Sequence, residues 1–69
     1  MPKCFKCGKQ MPKGTLLYDA STGHVYEYNG ETFELAYWSI DHVPEELVDT
    51  MWQAWIEDNE YYCPEHASD

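Results

Sequence analysis

The sequence predicts a small α+β domain that consists of a three-stranded antiparallel β-meander and one amphipathic α-helix, with its two ends held together. Three observations support this prediction. Two short-spaced pairs of cysteine or histidine lie near the opposite ends of a chain of 69 residues. An Asn-Gly dipeptide separates two segments in which side-chain polarity alternates, which is typical of a β-hairpin. A later segment carries apolar residues at helical spacing. We treat residues 1–69 as one domain.

Three strands are predicted from the local pattern. Residues 15–18 form a short apolar run, and residues 24–28 and 31–38 alternate on the two sides of Asn29-Gly30. Asn-Gly favours a type I′ turn of two residues, because both positions then have positive φ and these residue types tolerate it. The prediction is therefore a tight hairpin preceded by one further strand.

The turn also fixes the register of the predicted hairpin. It places Tyr26 opposite Phe33 and Glu27 opposite Thr32. One face of the hairpin is then predicted to be mainly aromatic, and it carries Tyr26, Tyr28, Phe33, Leu35 and Tyr37.

A helix is predicted over residues 44–58. Proline is well tolerated in a first helical turn, and Glu45 and Glu46 complement the dipole at that end. Apolar residues occur at helical spacing on one side: Leu47, Val48, Met51, Trp52, Trp55 and Ile56. Acidic residues fall largely on the other side: Glu45, Glu46, Asp49, Glu57 and Glu60.

The two ends of the chain carry a candidate metal site. Cys4 and Cys7 form a C-x2-C pair, and Cys63 and His66 form a C-x2-H pair. Zinc prefers four tetrahedral sulfur or nitrogen ligands, and such spacings let each pair close on one ion. We expect a structural Zn²⁺ that joins the termini and is required for folding, because a domain this small buries little apolar surface.

Alternatives to this ligand set remain open. The fourth ligand is His66 by spacing, with His24 or His42 as substitutes. The C-x2-C pair is also the spacing of redox-active dithiols, although these occur in a βαβ context that the sequence does not predict. A site with four protein ligands leaves no position for a reactive water, so we expect no enzyme activity.

The first pair and its neighbours, Cys4-Phe-Lys-Cys7-Gly-Lys, resemble a zinc knuckle, and Cys63-Pro-Glu-His66 resembles the second half of such sites. The pattern is similar to zinc-ribbon and treble-clef domains, and its start resembles the knuckles of LIM domains. The resemblance covers residues 3–9 and 61–67 only. It implies a structural metal site and not a particular partner.

Charge restricts the possible partners. The formal net charge is −9, all four lysines lie in residues 3–13, and all thirteen acidic residues follow Gly14. Such a chain is repelled by nucleic acid and by anionic membranes and is attracted to basic proteins. The odd cysteine count and the lack of an apolar leader or spanning segment favour a reduced, cytoplasmic protein.

These observations predict a non-catalytic interaction module that binds a basic protein surface. Small acidic proteins of this kind are often regulators or inhibitors, including viral ones encoded by phages. The candidate partner-binding residues combine surplus aromatics with acids of the predicted helix: Tyr37, Trp38, Tyr61, Tyr62, Glu46, Asp49 and Glu57.

Two other functions are considered. The first is a nucleic-acid mimic that blocks a DNA- or RNA-binding protein. The predicted helix carries about one acid per 4–5 Å of its length, near the spacing of about 3.4 Å along a DNA strand. The second is direct nucleic-acid binding, as in many zinc ribbons, through Lys3, Lys6, Lys9 and Lys13, which the thirteen acids oppose.

Overall fold

The fold is built around a five-stranded mixed sheet, seen in a computed structural model that describes residues 2–67. The strands are β1 (Leu16–Asp19), β2 (Val25–Tyr28), β3 (Phe33–Tyr37), β4 (Trp52–Trp55) and β5 (Glu60–Tyr62). Their order across the sheet is β3-β2-β1-β4-β5. The strands β1 and β4 are parallel, and the other neighbours are antiparallel. The predicted three-stranded meander is therefore wrong, since β1 to β3 form only part of a larger sheet.

The predicted helix over residues 44–58 is also wrong. The helix α1 spans Glu45–Val48 alone, and both the amide and the hydroxyl of Thr50 donate to the carbonyl of Leu47 just beyond it. The residues that follow form β4, in which burial alternates from Trp52 to Trp55. A short apolar run fits a buried strand as well as a helix, and here pairing with β1 decides between them.

The β2–β3 hairpin exists, but its register is shifted by two residues from the prediction. Tyr26 lies opposite Leu35 and Glu27 lies opposite Glu34. The side chain of Asn29 accepts hydrogen bonds from the amides of Glu31 and Thr32, at 2.9 and 2.8 Å, so the turn takes in residues 29–32.

A shift of two residues keeps each side chain on its predicted face. Tyr26, Tyr28, Phe33 and Leu35 therefore do share one face, as predicted. Tyr37 does not, because a bulge at Ala36 returns it opposite Val25 and turns its side chain to the other face.

Both faces of the sheet are covered. The first core lies under the N-terminal segment, and its buried members are Cys4, Met11, Leu17, Tyr28, Trp52, Ala54, Tyr61 and Cys63. The second core lies under the β3–β4 connection, where Val43 and Met51 pack against Val25 with support from α1. Parallel strands such as β1 and β4 require a crossover connection. The β3–β4 segment is part of this connection, and it also covers the second core. Within residues 2–67, no helix is long and apolar enough to cross a membrane.

Candidate metal centre

The first cysteine pair lies on a tight turn near the N-terminus. The amide of Gly8 donates to the carbonyl of Cys4 at 2.8 Å, and the amide of Cys4 donates to the carbonyl of Lys9 at 2.8 Å. Gly8 has φ of +76°, a conformation that side-chain-bearing residues rarely adopt. The glycine after Cys7 therefore closes the turn, as the resemblance to a zinc knuckle implied.

The last strand brings the second pair to this turn. The amide of Phe5 donates to the carbonyl of Tyr61 at 2.7 Å, which attaches the turn to β5. Cys63 follows β5 directly, and its amide donates to the sulfur of Cys4 at 3.4 Å. Residues 59 positions apart in the chain thus meet at one point.

The distances between the sulfur atoms fit a metal site better than a disulfide. The Sγ atoms of Cys4, Cys7 and Cys63 all lie within 4.8 Å of one another. The Sγ atoms of Cys7 and Cys63 are 3.7 Å apart. A disulfide bond is about 2.05 Å long. A tetrahedron with metal–sulfur bonds of about 2.3 Å has sulfur–sulfur edges of about 3.8 Å.

The second pair lies on a single turn. The amide of His66 donates to the carbonyl of Cys63 at 2.9 Å. Ligand atoms of Glu65 and His66 and the sulfur of Cys63 lie within 4.8 Å of one another. This group shares the sulfur of Cys63 with the group of three cysteines, so two further candidate donors lie beside it. Neither His24 nor His42 belongs to these groups, so among the described histidines only His66 lies at the site.

Glu65 is the residue that the sequence reasoning missed. It lies between two predicted ligands, and a carboxylate oxygen is an accepted zinc ligand. The motif spacing draws attention to Cys63 and His66 alone. The only sequence signal for Glu65 was its place inside that short turn.

The surroundings of Cys4 favour its thiolate form. Burial alone works against the charged form and raises the pKa, but amides of Cys63, Cys7 and Lys6 point at the sulfur and lower the pKa to about 6 from 9.0. The pKa of Cys63 is raised, first by burial and then by hydrogen bonding with the Cys4 and Cys7 thiols. Three clustered thiols cannot all ionise without a cation, and a divalent metal would remove that conflict.

The aromatic residues predicted to bind a partner differ in their exposure. Trp38 is 66% exposed. Tyr62 is half-buried, and its ring meets that of Phe5 at a centroid distance of 6.1 Å. Tyr61 is buried in the first core and Tyr37 packs against the second, so the expectation of surface exposure is wrong for Tyr61 and holds only in part for Tyr37.

The predicted acidic residues are exposed but do not share one helix. Glu46 lies in α1, and Asp49 follows it. Glu57 lies beyond β4 in the 3₁₀ turn Ile56–Asp58. The evenly charged helical face expected from the sequence is absent, because β4 interrupts it.

Comparison with protein-family models, with curated proteins and with solved structures finds no match to this chain. The function is therefore inferred from the geometry of the site and from the surface.

Proposed function

We propose that this protein is a non-catalytic, zinc-stabilised protein-interaction module that binds a basic protein surface as a small regulator or inhibitor. The meeting of Cys4, Cys7 and Cys63 at a spacing suited to tetrahedral coordination carries the proposal.

Zinc is the ion that best fits this set of donors. Three thiolates with one imidazole or carboxylate is a soft, four-donor set, and structural zinc sites use such sets. Thiolates bind metal only while they are reduced, so we place the protein in a reducing compartment such as the cytoplasm. We assign His66 as the fourth ligand, because Cys3His is an established structural combination.

The proposed ion acts as a clamp and not as a catalyst. Two of the sulfurs, those of Cys4 and Cys63, belong to buried residues of the first core. Filling the fourth position with His66 leaves no site for an activated water. The ion then ties the N-terminal turn to the end of β5, and its free energy of binding adds to that of folding.

Metal analysis tests this part of the proposal. Purified protein should contain one zinc per chain, and replacing zinc with Co²⁺ should give the intense near-ultraviolet charge-transfer band of thiolate coordination together with visible tetrahedral bands. Cys63→Ser should weaken both signals, and His42→Ala, which changes an exposed histidine outside the site, should leave them unchanged. Protein that folds with no bound metal would contradict the proposal.

The charge distribution supports a basic protein partner. All thirteen acidic residues follow Gly14, and the four lysines are confined to the segment that carries the first metal pair. Association with a basic surface should therefore be fast at low ionic strength and should slow steeply as salt is added. Immobilised zinc-loaded protein should retain a defined basic protein in a salt-dependent manner, and retention of none would count against the proposal.

No specific observation favours the alternative of nucleic-acid mimicry. Mimicry of a DNA strand requires acids at regular intervals along one helix, and the described α-helix has only four residues. Duplex DNA that competes with the protein for its captured partner would nevertheless revive this alternative. Direct nucleic-acid binding through the lysines predicts a gel shift at low salt, which the proposal does not.

A further inference from the structure

The outer edge of the sheet at β3 carries an exposed apolar and aromatic patch. We call it the Trp38 patch and define it by His24, Tyr26, Leu35 and Trp38. The His24 ring packs against the Trp38 ring at a centroid distance of 4.4 Å with the planes tilted by 43°, and it meets the Tyr26 ring edge-on at 6.4 Å. Tyr26 lies opposite Leu35 across the hairpin. The four side chains therefore form a continuous row.

The patch is ordered by contacts but still faces solvent. Nδ1 of His24 lies 2.8 Å from the carbonyl of Trp38, which holds the end of β3 against the start of β2. Even so, Trp38 is 66% exposed and Leu35 is 53% exposed. A tryptophan held in place by neighbours loses little freedom on binding, and such residues dominate the energetics of interfaces.

The backbone of β3 is also available. Within residues 2–67, β3 pairs with β2 alone, and its other edge has no neighbour. Hydrogen bonds of an antiparallel pair use every second residue, so the remaining amides and carbonyls of β3 point outwards. The opposite edge differs, because the Phe5 amide already binds the Tyr61 carbonyl there. The bulge at Ala36 leaves Phe33–Leu35 as the regular part of the free edge.

Charge indicates which kind of segment would pair there. Glu27 and Glu34 lie directly opposite each other, an arrangement that is unfavourable unless a cation is close. Neither forms an ion pair with any residue that the structure describes. Glu27 and Glu34 lie on the face opposite to the Trp38 patch, because adjacent pairs of a hairpin alternate in face. Lysine or arginine at every second position of an incoming strand would relieve this repulsion, and the apolar side chains between them would pack against Leu35 and Trp38.

We propose that the free edge of β3 and the Trp38 patch bind an extended, basic peptide segment of another protein by adding it as a sixth strand. This inference rests on the proposed function and identifies the surface by which it acts. Backbone hydrogen bonds would supply affinity, while Glu27 and Glu34 would select lysine or arginine on one face of the added strand and the Trp38 patch would select apolar side chains on the other.

A peptide titration followed by NMR tests the inference. The probe is Arg-Val-Arg-Thr-Arg-Val, and its control replaces each arginine with glutamate. The basic peptide should shift the amide signals of Phe33–Tyr37 and the indole N–H of Trp38, and the acidic peptide should shift neither. Shifts spread over all acidic regions, or none at all, would overturn the inference.

Two matched double variants distinguish binding at the β3 edge from a general effect of negative charge. Glu27→Gln with Glu34→Gln should weaken peptide binding about tenfold. Glu57→Gln with Asp58→Asn removes the same charge beyond β4 and should leave the affinity within about twofold. Equal weakening by the two double variants would overturn the inference.

Trp38→Ala should weaken binding by about 30-fold or more while leaving the thermal transition nearly unchanged, since its side chain is mostly exposed. A second copy of this chain could also pair with β3. Analytical ultracentrifugation that finds only a monomer would exclude this alternative. A dimer that pairs through β3 would overturn the inference.

The proposed function and this inference fail differently. If a basic protein is captured equally well by the wild type and by the Trp38→Ala and Glu27→Gln/Glu34→Gln variants, the interaction module stands and the β3 edge is wrong. If no basic protein or peptide binds the wild type at all, both are wrong.

Discussion

Removing the metal at neutral pH should unfold this domain. The clamp between Cys7 and Cys63 closes a loop in which the two residues are 56 positions apart. Closing a loop of that length restricts the unfolded chain by about 4 kcal/mol in the chain-entropy description used for cross-links. Native domains are stable by only about 5–15 kcal/mol, and one this small belongs near the lower end. The proposed metal clamp would therefore account for most of the stability expected of the chain.

Chelation provides the assay. Trp52 is 3% exposed and belongs to the same core as Cys4 and Cys63, so unfolding should move its fluorescence to longer wavelength. Circular dichroism should lose the sheet signal at the same chelator concentration, and added zinc should restore both. Elemental analysis must confirm that the metal has left. Metal-depleted protein with an unchanged denaturant midpoint would refute the reasoning.

Four further outcomes are expected. His66→Ala should lower zinc affinity by more than about 100-fold, because losing even an outer-shell partner costs about 10–100-fold. His42→Ala is the matched control, and equal effects in competition titrations would contradict the ligand assignment. Gly8→Ala should cost about 1–2 kcal/mol in denaturant titrations through its positive φ alone, since no atom lies within 4 Å of the added methyl. Leu17→Ala at the centre of the first core should cost about 2–5 kcal/mol, and a loss below about 1 kcal/mol would mean that β1 is not central. Stability should fall on acidification: the pKa of Cys4 is lowered in the folded state, from 9.0 to about 6, so its contribution is complete above about pH 9 and disappears as pH falls through about 6. Denaturation midpoints that stay constant from about pH 8 to 5 would contradict this.

The sequence alone identified the part of the site that depends on short spacing. Two residues separate Cys4 from Cys7, and two separate Cys63 from His66, so local turns bring each pair together whatever lies between the two pairs. Gly8 has the positive φ expected of a knuckle. The faces of the β2–β3 hairpin were also predictable, because alternation survives a shift of two residues.

Tertiary structure decided the elements whose local signals were ambiguous. Residues 52–55 alternate in burial as a strand, although their apolar spacing also fits a helix, and the neighbouring β1 supplies the hydrogen bonds that select the strand. The Asn29 side chain lengthened the hairpin turn by bonding to two amides, which a preference for Asn-Gly does not reveal.

The sequence by itself determined that two cysteine-containing pairs would lie on tight turns and that acidic charge would dominate beyond residue 14. Only the tertiary structure decided that β5 carries Cys63 to the N-terminal turn, that Glu65 adjoins the Cys63 sulfur, and that β3 is the last strand of the sheet within residues 2–67. The physical reason is the distance along the chain over which each interaction acts. Turn chemistry and alternation act over a few neighbouring residues, whereas strand order depends on which distant segments bury one another most completely.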